Sequence, residues 1–566
     1  MKILGIWDGH DAGAAIVEDG EIKVAVNEER FTKKKLHVGF PSESVKASLS
    51  YLKLKPGDID VVAYNTTDFA KTLTRAFPSM KDNYYLFRRR KIDRPRFESL
   101  RRHFKYRMTE IKELPLCRSV SSSVIRKSLR HLGFKSKDYK LEVVDHHAAH
   151  AAAASLCSGF KKSLSITLDG IGDGLSGTIN VFENGELERI SSIEGRDSFG
   201  LFYEQVTNLM GMRELEDEGK VMALADFTYE MDESENKLLD WFKVDGMNVK
   251  CKYSTIDKYK RLQKLLWNTP REKFAYMAQN TLEVHITKLF ENAMKETGIG
   301  NVCWSGGIAS NIKVNMKVRY LPELKEWFVF PHMGDGGLAV GSALYASLKH
   351  EGAKPRRIQN LYFGIEYSSG DVESALSGYE YQVKFEERSD LPEFIGDHIA
   401  GGDFALWYQG GMEFGPRALG NRSILAPAGD MKAKDKLNIQ VKKRSWFQPF
   451  CPSLLEEEAE KLFERVDSYD KFMTMGYNSL EAARPRIQAI LNVDGSARPQ
   501  MLGQENGLYR RLITQVKKGT GDGILLNTSF NLHGYPIVNT PKDALDMMVK
   551  SKSKVMGLGD FLVELQ

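Results

Sequence analysis

The chain has 566 residues, 80 Lys and Arg against 75 Asp and Glu, and a formal net charge of +5. It is too long for one hydrophobic core and ordinary in polar balance, so two or more domains are expected. No run is apolar enough to span a bilayer, and Asp8 and Asp11 interrupt the N-terminus before a signal-peptide core forms. Cys117, Cys157, Cys251, Cys303 and Cys451 are scattered and form no C-x-x-C pair. That argues against a zinc finger or disulfide framework and points to a reducing cytoplasm.

Residues 1–30 read as three strands, KILGIW, AGAAIVE and EIKVAVNEE. The last two are joined by Asp19-Gly20, a pair that favours a two-residue hairpin turn. Residues 81–140 then hold 19 Lys and Arg against 6 Asp and Glu. FRRRK (87–91) and RRHFKYR (101–107) are interleaved with Tyr84, Tyr85, Phe87, Phe97, Phe104 and Tyr106. The segment reads either as a solvated helical insertion or as a patch for a polyanion or an anionic membrane surface.

The run VVDHHAAHAAAAS follows. His146 and His150 are four residues apart, so in a helix both imidazoles project from one face. His147, about 100° round the helix, is expected to make a supporting contact or to face substrate. Asp169 then follows the apolar run SLSITL and opens the glycine-rich DGIGDG. Two histidines and a carboxylate beside flexible amides suit a divalent metal held together with a phosphate chain.

Residues 163–194 repeat the N-terminal pattern: SLSITLDG, GLSGTINVFE, Asn184-Gly185, ELERISSIE. Both copies place Asp-Gly at the end of the first strand (Asp8-Gly9, Asp169-Gly170) and continue into a hairpin with a two-residue turn. The repeat predicts an α/β fold of two related lobes, the arrangement of the actin, sugar-kinase and Hsp70 ATPases. VCWSGGIASN (302–311) and HMGDGGLAVGSALYASL (332–348) extend the second lobe with glycine loops whose amides can approach an anion.

HEGAKPRRIQN (350–360) reads as a linker between domains 1–349 and 361–566. The second domain is densest in YQGGMEFGPRALGNRSILAP (408–427), NVDGSARPQ (492–500) and GILLNTSFNLHGYPIVNTPKDALDMM (523–548). Its last helix is expected to start with Thr540 as N-cap and Pro541 at the first helical position. Arg417, Arg422, Lys442, Lys443, Arg444 and Arg498 lie in or beside these loops. They read as a cationic pocket for a small phosphorylated substrate, or else as surface ion pairs.

These landmarks together resemble the NodU/CmcH family of O-carbamoyltransferases. They are His10-Asp11-Ala12, NEERFTKKKLHVGFP (27–41), DHHAAHAAAA (145–154), LDGIGDG (168–174), DEGKVMALA (217–225), SGGIASN (305–311), GDGGLAVGSAL (334–344), MEFGPRALGNRSILA, DGSARPQ and LLNTSFNLHGYPIV. The resemblance covers nearly the whole chain, with a longer basic insertion at about 81–135. It implies a duplicated two-lobed actin/Hsp70-like ATPase fold followed by a YrdC-like α/β domain. It also implies transfer of the carbamoyl group of carbamoyl phosphate, through a carbamoyl-adenylate made with ATP, to a hydroxyl of a sugar, glycan or natural product.

By motif matching, His146, His150, Asp169 and Asp335 would bind a divalent metal. Fe(II), Mn or Zn suits such a mixed nitrogen and oxygen set better than Ca, with Fe(II) favoured. His10 and Lys35 would be catalytic, His10 as base and Lys35 toward phosphate or developing charge. The glycine loops would hold ATP through Gly170, Gly172, Gly306, Gly307, Asn311, Gly334 and Gly336. Arg417, Lys442, Arg498 and Asn527 would hold carbamoyl phosphate. Gln448 and Asn492 depart from the family's Arg and His, and Gln448 removes one phosphate contact. Two other readings of the same scaffold are a carbamoyl-type modifier of nucleic acid and a nucleotide-dependent binding protein without transferase activity.

Overall fold

The computed structural model describes residues 1–92, 108, 111, 114–229, 231–443 and 447–566. The RRHFKYR stretch, Phe97 and Arg444 lie outside them. The chain divides into two compact units, residues 1–28 with 36–358 and residues 29–35 with 359–566.

The first unit contains the repeat. Strands β1 (Lys2–Trp7), β2 (Gly13–Glu18), β3 (Glu21–Asn27), β4 (Val61–Asn65) and β5 (Lys140–Val144) form one sheet in the order β3-β2-β1-β4-β5. Strands β6 (Lys162–Gly172), β7 (Leu175–Glu183) and β8 (Glu186–Glu194) begin the second copy. A small hairpin, β9 (Phe242–Asp245) and β10 (Asn248–Cys251), intervenes before β11 (Asn301–Ser305) and β12 (Glu326–Val329) complete a sheet ordered β8-β7-β6-β11-β12. In each, an antiparallel meander leads into two parallel strands. Both expected hairpin turns carry positive φ at both central residues, 52° and 77° at Asp19-Gly20 and 55° and 81° at Asn184-Gly185. That conformation matches the twist of the flanking strands and favours Asp or Asn followed by Gly.

One difference separates the copies. β1 stops before Asp8, but β6 runs on through Asp169 to Gly172, with a register shift between Leu168 and Gly172. The bulge keeps Asp169 in the strand while re-aiming its side chain.

Two helices knit the lobes together. The helix His146–Ser158 follows β5 of the first lobe but packs on β6 and β11 of the second. The helix Leu338–Glu351 follows β12 of the second lobe and packs on β1, β2 and β4 of the first. Asp145 caps the former by accepting from Ala148 N at 2.8 Å, and Gly159 ends it with φ of 79°. Its alanines and Gly341 let the two helices touch: a Cβ on Gly341 would come within 2.2 Å of the Ala149 carbonyl oxygen. The first unit is thus the expected duplicated two-lobed fold.

The second unit is built on β13 (Val383–Glu387), β14 (Ala405–Tyr408), β15 (Arg422–Pro427), β16 (Cys451–Leu455), β19 (Gln500–Leu502), β20 (Ile524–Ser529), β21 (Val555–Leu558) and β22 (Phe561–Leu565). They form a mixed sheet in the order β13-β22-β21-β14-β15-β20-β16-β19, and β17 (Tyr477–Asn478) pairs separately with β18 (Ser496–Ala497). Trp407 and Leu425 of the sheet pack with Ile395 of the helix Leu391–Ala400 and with Tyr509 and Leu512 of the helix Gly507–Thr520. Thr540 caps the helix Pro541–Ser551 in a capping box with Asp543, as its sequence predicts. The segment 29–35 joins this unit through Arg30 Nη2, which donates to the Gly415 carbonyl at 2.8 Å, and through a Lys33–Asp543 ion pair. All five cysteines are free. Among the described residues no helix is long and apolar enough to cross a membrane.

Candidate functional site

Four side chains converge in the first unit. One atom from each of His146, His150, Asp169 and Asp335 lies within 4.8 Å of the others, a spacing that could hold a metal ion. His146 Nε2 is 3.2 Å from Asp169 Oδ2 and 3.7 Å from Asp335 Oδ1. His150 Nε2 is 3.6 Å from Asp335 Oδ1 and 4.0 Å from Asp169 Oδ2.

The surrounding hydrogen bonds orient the rings. The Ser305 hydroxyl donates to the Met333 carbonyl (3.2 Å), so its oxygen accepts from His150 Nδ1–H (3.2 Å). That leaves Nε2 of a neutral His150 as a bare lone pair, buried without a hydrogen-bond partner and aimed at two carboxylates. A lone pair facing carboxylates is repulsive unless a cation lies between them. His146 Nδ1 sits 3.3 Å from Thr66 Oγ1, which leaves its Nε2 directed at the same point. A proton is the weaker substitute for a metal: burial opposes it, but the bond to Asp169 and the charges of Asp335 and Asp169 push His146 up to about 9. For Asp335, burial is outweighed by its contact with His10, which holds its carboxyl well below the usual range. The donor set of two imidazoles and two carboxylates fits a divalent transition ion.

His10 lies at the rim, its Nε2 3.1 Å from Asp335 Oδ2, its carbonyl accepting from Trp7 Nε1 at 2.6 Å, and its ring edge-on to Tyr85. Lys35 is grouped with the second unit. His147 is not among the four converging side chains, although its ring packs edge-on against that of His146 at 5.1 Å between centroids. Its ring nitrogens lie 2.9 Å from Thr167 Oγ1 and 3.1 Å from the Leu175 carbonyl, inside the second lobe.

The glycine loops separate by what surrounds them. Gly307 N donates to Asp169 Oδ1 at 2.8 Å and so fixes the other carboxylate oxygen toward the histidines. Gly306 has φ of 96°. Gly170 and Gly334 face open space, whereas a Cβ on Gly336 would meet Asp11 and His332, each at 2.3 Å. Asn311 caps the helix Ile312–Arg319 and bonds to Gln279, so its amide is already engaged. A Cβ on Gly172 would fall 2.2 Å from the His146 ring. Gly172→Ala is therefore expected to weaken metal binding about 10–100-fold with the fold retained, the scale of losing a group that orients a ligand. Metal titration beside far-ultraviolet circular dichroism checks this, and unchanged affinity would refute it.

Among the described residues of the basic segment, Arg88 and Arg89 face carboxylates of the second lobe. Arg88 is buried in ion pairs with Glu204 and, at 2.5 Å, Glu214; Arg89 pairs with Glu216 at 2.5 Å. Arg90 donates to the carbonyls of Met212 and Asn208. These arginines clasp the helix Pro78–Arg88 onto the second lobe, because neutralising a buried guanidinium requires carboxylates within contact.

In the second unit Arg417 and Arg498 come together, and among the described residues neither has a carboxylate partner. Burial and then the neighbouring Arg498 lower Arg417 to about 9. Arg498 Nε and Nη2 donate to Cys451 Sγ at 3.2 and 2.9 Å. Cys451 pairs in register with Asn527, whose Nδ2 donates to the Ala418 carbonyl at 3.1 Å. Lys442 holds the 529–531 loop through the Ser529 carbonyl and, at 2.8 Å, Asn531 Oδ1. Arg422 leaves the pocket its sequence suggested: it is wholly buried, stacks on Tyr408 and donates to the carbonyls of Gln409, Gly410 and Asn421. Thr66 and Ser305 carried no local sequence signal, because their partners His146 and His150 lie 80 and 155 residues away.

The first unit is a duplicated two-lobed α/β unit bearing an acidic and imidazole cluster, and a second α/β unit follows it in the same chain. The comparisons make the class specific, and the chain belongs to the carbamoyltransferase family: the family's N-terminal model matches residues 2–344 and its C-terminal model residues 396–565. It is 33% identical over 99% of both chains to an uncharacterized protein of Methanocaldococcus jannaschii. It is 31% identical to nodulation protein NolNO of Sinorhizobium fredii, over 98% of this chain and 79% of that one. To the 3'-hydroxymethylcephem-O-carbamoyltransferase of Streptomyces clavuligerus it is 31% identical, over 64% of this chain and 67% of the relative.

Proposed function

We propose that this carbamoyltransferase moves the carbamoyl group of carbamoyl phosphate to an acceptor hydroxyl on a sugar, glycan or natural product, with ATP and a divalent metal. The observation that carries the reading is the bare His150 Nε2 facing Asp169 and Asp335 beside His10. The similarity to a protein named for O-carbamoyl transfer to a cephem supports the hydroxyl acceptor.

In this reading Arg417 and Arg498 bind the phosphate of carbamoyl phosphate, with Asn527 and Lys442 holding the loops around them. The YrdC-like second unit hydrolyses carbamoyl phosphate to carbamate and phosphate. Carbamate attacks the α-phosphorus of ATP, giving carbamoyl-adenylate and releasing pyrophosphate. A metal held by His146, His150, Asp169 and Asp335 would neutralise phosphate charge and polarise the acyl phosphate. The loops at Gly170 and Gly334 leave room for phosphate near backbone amides. Donating Nε2–H to Asp335, His10 keeps the Nδ1 lone pair to take the acceptor's proton as its oxygen attacks the carbamoyl carbon and AMP leaves.

The test is incubation of purified protein with Fe(II) or Mn(II), ATP and carbon-labelled carbamoyl phosphate. AMP and pyrophosphate that appear only with carbamoyl phosphate support the reading. ATP converted only to ADP, with no labelled carbamoyl group on any hydroxyl acceptor, sinks it.

A further inference from the structure

Arg417 sits in the connection between β14 and β15, residues 409–421, which is largely buried and forms neither helix nor strand. Buried backbone outside regular structure has to find partners elsewhere for its amides and carbonyls. Here many of them converge on one side chain. Glu413, 2% exposed, accepts on its Oε1 from three backbone amides: Leu419 N at 2.7 Å, Asn421 N at 2.8 Å and Arg422 N at 3.1 Å. Hydrogen bonds to a carboxylate are among the stronger ones a backbone amide can make. The carbonyls of the same loop are held from other elements. Arg30 Nη2 donates to Gly415 and Asn527 Nδ2 to Ala418, while the Tyr362 hydroxyl and Gln500 Nε2 donate to Leu419 at 2.8 and 2.9 Å.

Arg417 itself makes no hydrogen bond or ion pair among the described residues. No polar contact of its own steers the guanidinium, which leaves its placement to the loop backbone. A long, flexible side chain binds an anion well only when its root is held in place, because ordering it on binding costs affinity. We propose that Glu413 is a positioning residue for phosphate recognition: by gathering three amides on one oxygen it fixes the loop from which Arg417 meets the phosphate of carbamoyl phosphate. This rests on the proposed role of Arg417.

Action through charge and action through geometry predict opposite signs. A carboxylate in the same unit repels phosphate, so removing its charge alone leaves phosphate binding unchanged or tighter. Glu413→Gln does this and keeps a carbonyl oxygen for the three amides. The other oxygen, Oε2, is buried without a hydrogen-bond partner among the described residues, so an amide nitrogen in its place breaks no bond. Glu413→Ala removes charge and anchor together.

Inorganic phosphate is the probe, titrated calorimetrically into the full chain with a saturating non-hydrolysable ATP analogue. Wild type is expected to bind a phosphate that Arg417→Met and Glu413→Ala each bind at least about tenfold more weakly, while Glu413→Gln stays within about threefold of wild type or binds more tightly. The double variant should bind no more weakly than Arg417→Met alone, because Glu413 acts only through Arg417. Destabilisation by itself lowers the competent fraction, and so the stoichiometry, at unchanged Kd. Should Glu413→Ala not fold, Glu413→Asp keeps the charge but draws the oxygen back by one methylene, and a loss in the same direction is expected. Wild-type affinity in Glu413→Ala or Glu413→Asp, additive losses in the double variant, or a loss in Glu413→Gln as large as in Glu413→Ala overturns the assignment. Wild-type affinity in Arg417→Met instead overturns the phosphate role of Arg417, and this inference falls with it.

Discussion

Replacing His150 with alanine is expected to lower carbamoyl transfer by about 10²–10³-fold and to remove tight binding of Fe(II) or Mn(II), the scale of losing a central electrostatic element of a site. The prediction follows from the Ser305–His150 hydrogen bond, which points a bare Nε2 at Asp169 and Asp335. Asp169→Asn should act alike, because Gly307 N fixes one of its oxygens and turns the other to both histidines. His147→Ala is the control. It lies next to His146 in the chain but bonds only inside the second lobe, so it should cost stability and leave metal affinity near that of wild type. Metal content by mass spectrometry, read beside labelled carbamoyl transfer, decides it. A His150→Ala protein that keeps its metal and its rate would refute the assignment.

The second large effect is structural. Arg88→Met should destabilise the first unit by about 3–5 kcal/mol, the cost of stranding buried carboxylates when one partner of an ion pair is removed. Arg88 and its partners Glu204 and Glu214 have side chains 8%, 12% and 5% exposed, so water cannot replace the guanidinium cheaply. Arg90→Met, whose partners are backbone carbonyls at an exposed edge, should cost about 1 kcal/mol. Urea unfolding of the first cooperative transition measures both. Equal midpoints for wild type and Arg88→Met would show that the clasp contributes nothing.

What was legible in the chain was what local pattern encodes. The Asp-Gly and Asn-Gly turns gave both meanders, since few other residue pairs tolerate two successive positive φ values. The four-residue spacing in DHHAAH placed two imidazoles on one helical face. The partners of Arg88 and Arg89 were not legible, because a run of arginines looks the same whether it faces water or carboxylates more than a hundred residues away. Lys35 sits in a motif continuous with Asn27, and the contacts of its segment to Gly415 and Asp543, made by Arg30 and Lys33, are long-range ones that local pattern does not encode. His147 shows the same limit: helical geometry fixes its direction, while Thr167 and Leu175 decide what lies there.

The exchanged helices have a consequence for how such a centre can arise. His146 and His150 come from the end of the first repeat, Asp169 from the start of the second, and Asp335 from its end. Each repeat's closing helix rests on the other repeat's sheet. A single repeat therefore owns neither a complete ligand set nor the closing helix that packs on its sheet. An ancestral one-repeat protein with this topology would have had to pair with a second copy, trading helices across a twofold axis. The two halves of the present chain differ at the matching position: Asp169 faces the histidines of the cation cluster, whereas Asp8 is held by Arg75 and Lys71.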